Sequence, residues 1–137
     1  MNVTVRSYAE NLDEFGLTES TESDTQTCPA QFIESGGVFT IKYMQKTEGG
    51  DYTTLITVKD GKMTLLREGA IAGVMEFSEG ALTKTVYSVV PYSFDAEIET
   101  KRLRCSLTAL GGTLELLYLL TVGGAKKRMR LSITVFR

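Results

Sequence analysis

The last third of the chain, Tyr92 to Arg137, most limits what this sequence can fold into. Its apolar residues alternate with polar ones: Tyr92, Phe94, Ala96 and Ile98, then Leu103, Cys105, Leu107 and Ala109. A period of two belongs to a β-strand with one buried and one wet face. Folding this segment at Thr100-Lys101 sets Ile98 opposite Leu103, Ala96 opposite Cys105 and Phe94 opposite Leu107. The other face then places Glu99 against Arg102 and Glu97 against Arg104. Opposite charges across a strand pair contribute roughly 0.2–1 kcal/mol each. A slip of one residue would bury all four.

Two further turns extend the same face. Folding at Gly111-Gly112 pairs Ala109 with Leu114, Leu107 with Leu116, Cys105 with Tyr118 and Leu103 with Leu120. Folding at Gly123-Gly124 pairs Leu120 with Lys127, Tyr118 with Met129, Leu116 with Leu131 and Leu114 with Ile133. Two-residue hairpin turns need positive φ, which glycine adopts without steric cost. Four strands sharing one apolar face make a meander.

The rest of the chain repeats this pattern less regularly. Asn2 to Tyr8 reads as a strand with Val3 and Val5 inward. Glu10 to Asp24 is acidic, rich in Ser and Thr, and reads as a mobile loop or as a short helix over Tyr8–Phe15 stopped by Gly16. Thr25 to Glu34 is strand-like, with Pro29 marking an edge position or a bulge. Val38 to Lys46 follows, then a hairpin at Asp60-Gly61 that pairs Val58 with Met63, Ile56 with Leu65 and Thr54 with Arg67. Val74 to Ser78 and Ala81 to Val90 lead to a break at Pro91. About ten strand runs with short connections indicate a closed or nearly closed antiparallel up-and-down barrel, in one domain spanning residues 1–137. Closure also removes exposed strand edges.

Composition narrows the function classes. No run approaches the ~20 apolar residues of a membrane helix. The amino-terminal residues lack the basic-then-apolar layout of a secretory signal. Cys28 and Cys105 are far apart, and Cys105 falls on the expected core face, so no structural disulfide is expected and a cytoplasmic location is the default. The net charge of −2 hides an asymmetry: Ser7 to Ile41 holds seven acidic residues and no Lys or Arg, while Lys42 to Arg137 holds fourteen basic and ten acidic ones. That excess is too small to argue for nucleic acid.

The motifs LITVKDGKMTLLREG, VMEFSEG and TKTVYSVVPYSFDAEIETKRL, followed by the Gly-Gly hairpins, resemble the YwiB-like family of bacterial calycin-like barrels, a family of unknown function. The resemblance covers Val38 to Arg137 and is carried by Tyr43, Thr54, Arg67, Gly69, Phe77, Gly80, Tyr87, Pro91 and Tyr92. CPAQF (Cys28 to Phe32), Ser93 after Pro91-Tyr92, and the acidic insert depart from the family pattern. The resemblance implies a lipocalin-like barrel of eight to ten strands and no activity or cofactor.

The chain has no histidine. That removes Ser-His-Asp and Cys-His nucleophile pairs, the usual neutral-pH proton shuttle and the commonest metal ligand. Two distant cysteines do not make a zinc site, and no phosphate-binding glycine string is present. Two groups of residues remain. On the inside, Arg67 and Thr54 share a face with core residues, and Tyr43, Tyr87, Tyr92 and Tyr118 are candidates to line a lumen with them. An inward arginine can hold an anionic group of a small-molecule ligand by a two-pronged hydrogen bond. The plainer alternative, which the residues favour, is that it closes the barrel end against backbone carbonyls or a carboxylate such as Glu68 or Glu76. On the outside, Arg102, Arg104, Arg128 and Arg130 surround Leu117 and Leu119, with Arg104, Leu119 and Arg128 expected in one row and Ser106, Leu117 and Arg130 in the next. The cover for these leucines is a second copy of the chain, an acidic partner, the acidic amino-terminal segment, or the arginine side chains themselves.

Overall fold

The computed structural model describes all residues, Met1–Arg137. It contains ten strands and no helix: β1 (Asn2–Leu12), β2 (Thr18–Ser35), β3 (Val38–Thr47), β4 (Gly50–Lys59), β5 (Lys62–Gly69), β6 (Ile71–Ser78), β7 (Leu82–Val89), β8 (Tyr92–Thr108), β9 (Gly111–Val122) and β10 (Ala125–Phe136). Each strand pairs antiparallel with its sequence neighbours, and β1 pairs with β10 to close the barrel. Val3, Ile41, Ile56, Met63, Leu65, Phe77, Ile98, Leu114 and Ile133 fill the interior, each almost wholly removed from solvent.

Two expected hairpins form with the expected partners. Val58 faces Met63, Ile56 faces Leu65 and Thr54 faces Arg67. Leu120 faces Lys127, Tyr118 faces Met129, Leu116 faces Leu131 and Leu114 faces Ile133.

Two others differ. No turn forms at Thr100-Lys101. β8 runs straight through, and a bulge between Thr100 and Arg102 absorbs one residue. Glu97 lies near Lys84 (3.7 Å) and Glu99 near Lys101 (2.6 Å), while Arg104 lies opposite Glu115. The next turn is Ala109-Leu110, so Cys105 faces Leu114, and Leu103 faces Leu116. Gly111 and Gly112 begin β9, where close backbone approach excludes a side chain. A Cβ on Gly111, at φ +118, would run into the Val135 carbonyl oxygen. Cys105 shares the inward face with buried Leu107 but is exposed. β8 pairs with β7 only as far as Glu99, so its Arg102–Thr108 portion has a neighbour on one side alone. Both cysteines are free.

The acidic segment is neither loop nor helix. β1 continues to Leu12, turns at Asp13–Leu17, and β2 returns along it. The Asp13 carboxylate accepts the N–H groups of Phe15 and Leu17, each at 2.9 Å, and Gly16 adopts φ +77. Glu10 also accepts a 2.6 Å ion-pair bond from Arg128 of β10. Pairing on both sides of β1 thus orders residues whose own apolar area is small.

Pro29 marks a handover. β2 pairs with β1 up to Pro29 and with β3 from Ala30 onward. The Ala30 N–H donates to the Met1 carbonyl. Successive N–H groups point to opposite sides, so the donor that proline lacks is missing on the β3 side. The β2–β3 ladder ends there. A second seam opens between β6 and β7, which pair only from Ile71↔Val89 to Gly73↔Tyr87. Beyond it the Thr83 and Thr85 hydroxyls donate to the Glu76 and Val74 carbonyls at 3.0 and 2.5 Å.

Candidate ligand site: an arginine among four tyrosines

Register places five residues in one inward row around the wall: Tyr43 beside Thr54, Thr54 beside Arg67, Arg67 beside Gly73 and Gly73 beside Tyr87. Gly73 carries no side chain to stand between Arg67 and Tyr87. A Cβ there would meet the Val86 carbonyl oxygen at 3.0 Å and the Tyr87 ring at 3.4 Å. Across this gap the Arg67 guanidinium donates to the Tyr87 hydroxyl at 3.3 Å. Its central carbon sits 5.5 Å from the centre of the Tyr52 ring, within cation–π range. Tyr118 enters from β9 on another part of the wall, tilted against Phe77 with ring centres 4.9 Å apart.

No carboxylate pairs with Arg67; the three ion pairs of the chain are Lys84–Glu97, Lys101–Glu99 and Arg128–Glu10. Its Nε is enclosed and has no hydrogen-bond partner, and neither does the buried Tyr43 hydroxyl. The residue as a whole keeps partial solvent access. Burial by itself works against the guanidinium charge, but the phenol oxygens of Tyr87, Tyr52, Tyr43 and Tyr118, once ionised, attract it, so the pKa of Arg67 is raised and it keeps its proton. Burial raises the Tyr43 pKa strongly and pushes Tyr118 up to about 12. Tyr43 and Tyr118 are therefore neutral phenols beside a fixed cation. Below them, Thr54 donates to Gln45 and Gln45 to Gln26, both at 3.4 Å, continuing the polar lining toward the β2–β3 seam.

At one barrel mouth lies a cavity of about 290 Å³ walled by Met75, Tyr87, Phe94, Leu120, Val122 and Lys127 among others. It reaches Tyr87 but not Arg67, so the Tyr87 ring stands between the two. Lys127, opposite Leu120 on the inward face, has no carboxylate within ion-pair distance.

Of the residues singled out in the sequence, Arg67, Thr54, Tyr43, Tyr87 and Tyr118 come together inside the barrel. Tyr92 does not. It sits beyond the barrel end beside the Val90-Pro91 turn, 67% exposed and opposite Val89. Gly73 and Tyr52 were missed, because neither shows its role without the register of β4 to β7. The earlier turn at Ala109-Leu110 also rearranges the outer face. Arg102, Leu117, Arg130 and Tyr8 share one row, and Glu99, Leu119, Arg128 and Glu10 share the next. Arg104 lies in a third row with Glu115 and Ser132. Leu117 and Leu119 are half-buried beneath these neighbours.

Residues 13–133 match the profile of a family described as a domain of unknown function, DUF1934. The chain belongs to that family. No curated protein matches its sequence. Among solved structures, this DUF1934 member is similar to the crystal structure of the ywiB protein from Bacillus subtilis, with a TM-score of 0.76 and 19% identity. The match covers 99% of this chain and 92% of that one. At that identity the likeness establishes a shared fold. It supports the YwiB-like family read from the motif order and brings no activity with it.

Proposed function

We propose that this DUF1934 member is a non-catalytic, calycin-like binding barrel of the cytoplasm whose lumen holds a small anionic ligand on Arg67. The carrying observation is the Arg67 guanidinium. It lies among four tyrosines with no carboxylate, and its Nε has no partner. A charge taken from water without a counter-charge costs several kcal/mol (~3–5 when one partner of a buried pair is missing). A bound anion offsets that cost with short, charge-assisted hydrogen bonds. The unpartnered Tyr43 hydroxyl stands in the same inward row and supplies a neutral donor.

Native mass spectrometry of the gently purified protein tests this. A small adduct on the wild-type chain that is absent from Arg67→Met supports it. Adduct-free spectra from both, with no binding of added carboxylates or phosphate, count against it.

A second reading rests on a different observation. A groove of about 360 Å³ on the outer face runs between Arg102 and Arg130 over Leu117. In this reading the barrel works through that surface, with Arg104, Leu119 and Arg128 at its borders, against a second copy or an acidic protein partner. Light scattering with size exclusion tests it. A dimer that Leu117→Glu converts to monomer supports it, and a monomer at all concentrations counts against self-association.

A further inference from the structure

We infer that the mouth cavity beside Tyr87 is the compartment for the ligand's apolar body, and that the ligand is a compact monocarboxylic acid. This rests on the reading of Arg67 as an anion site and adds the ligand class.

The cavity walls are mostly hydrocarbon and aromatic: Met75, Phe94, Leu120 and Val122. Such walls reject a strongly hydrated polar molecule and favour an apolar one. Only two of the lining residues carry polar side-chain groups, Tyr87 and Lys127. Tyr87 is shared between the cavity and Arg67, and its bond to the guanidinium is long, at 3.3 Å. A carboxylate arriving through the cavity would replace that contact with a two-pronged, charge-assisted one, leaving its tail against Leu120 and Val122.

Charge decides the head group. Arg67 is the one cation among the four tyrosines and has no carboxylate partner, so a single negative charge balances it. Lys127, at the mouth and free of carboxylate partners, draws anions inward. Size decides the tail. About 290 Å³, at roughly 30 Å³ per small group, holds about ten non-hydrogen atoms. A medium-length acyl chain or a single aromatic ring fills it.

The test is an NMR titration of the whole protein with octanoate, octanol, acetate and inorganic phosphate. Three variants accompany it: Arg67→Met, Ala125→Trp, which fills the mouth, and Phe94→Asp, which places a negative charge at an already exposed rim position. Octanoate is expected to shift the Gly73 and Val122 amides and to bind roughly tenfold or more tighter than octanol or acetate. Arg67→Met should reduce octanoate to the octanol level, and Ala125→Trp and Phe94→Asp should weaken octanoate without unfolding the barrel. Acetate binding as tightly as octanoate, with loss in Arg67→Met, would overturn the cavity assignment and leave Arg67 as an anion site. Phosphate binding tighter than octanoate would overturn the carboxylate class alone. Octanol matching octanoate in wild type and Arg67→Met would overturn the anion site and the acid class, and no binding of any probe would overturn the cavity assignment as well.

Discussion

Replacing Arg67 by methionine should stabilise the ligand-free protein, and the structure sets the size of the effect. The substitution removes one long hydrogen bond to Tyr87, at 3.3 Å, worth about 0.5 kcal/mol. It also removes the contact over the Tyr52 ring at 5.5 Å, worth about 1 kcal/mol. Against these stands the relief of the unpartnered Nε, about 1–3 kcal/mol. Relief of the buried, uncompensated charge adds to it, and replacing buried ionic groups by apolar side chains of similar size stabilises by about 1–4 kcal/mol in known cases. Partial solvent access of Arg67 argues for the lower part of that range. The expected net gain is about 1–2 kcal/mol, a rise in Tm of about 4–8 °C at this chain length. Thermal and urea unfolding followed by circular dichroism measures it. A double-mutant cycle with Tyr87→Phe isolates the hydrogen bond: the cost of Tyr87→Phe in wild type should vanish in the methionine background. If Arg67→Met instead loses ~3 kcal/mol or more, the guanidinium is a structural closure of the barrel and the anion-site reasoning fails.

Three other outcomes are expected. Tyr118, with its pKa pushed up to about 12, and Tyr43, raised likewise, are neutral in the fold but ionise in the unfolded chain from about 10, so their contribution is complete below pH ~10 and lost above it. Unfolding free energy should fall by roughly 1.4 kcal/mol per pH unit for each tyrosine above that point; melts that stay flat there would contradict the burial of these phenols. Gly69→Ala should cost about 3 kcal/mol or more in urea unfolding, since its φ is +122 and a Cβ would lie 2.5 Å from the Asp51 carbonyl oxygen. Gly124→Ala, at φ +82 with open space around it, should cost only about 1 kcal/mol, and equal effects would refute the steric account. Thr85→Val removes the hydroxyl that bonds the Val74 carbonyl; it should cost about 1 kcal/mol and speed amide exchange in Val74–Ser78, whereas unchanged exchange would show that the β6–β7 seam is held by other contacts.

The errors in reading the meander have one physical origin. Alternation reports which face a residue occupies, and a two-residue turn and a one-residue bulge reverse its phase alike. Ile98 and Leu103 therefore share the inward face whether the chain turns back at Thr100-Lys101 or continues through a bulge, as it does. Opposite charges at Glu97, Glu99, Arg102 and Arg104 suit either arrangement, but the structure pairs Glu97 with Lys84 and Glu99 with Lys101, sets Arg104 across from Glu115 and leaves Arg102 opposite Leu117. Glycine pairs are similarly ambiguous. Gly123-Gly124 makes a turn, while Gly111-Gly112 lets two backbones approach. The amino-terminal hairpin was hidden for another reason. Its order comes from the Asp13 turn and from pairing on both flanks of β1, not from apolar area of its own.

The fold class, the Asp60-Gly61 and Gly123-Gly124 hairpins, and the inward direction of Arg67, Thr54 and Tyr118 are legible in the chain alone. These follow from period-two patterning and turn chemistry, which act over a few residues. Only the tertiary structure decided what Arg67 meets. Tyr52 lies fifteen residues before it and Tyr87 twenty after it, and both reach the guanidinium through the register of four strands and the missing side chain at Gly73. Local pattern fixes the side of a sheet on which a residue stands. Height and position around a barrel are sums over every turn and bulge in between, and one shifted turn moves them all.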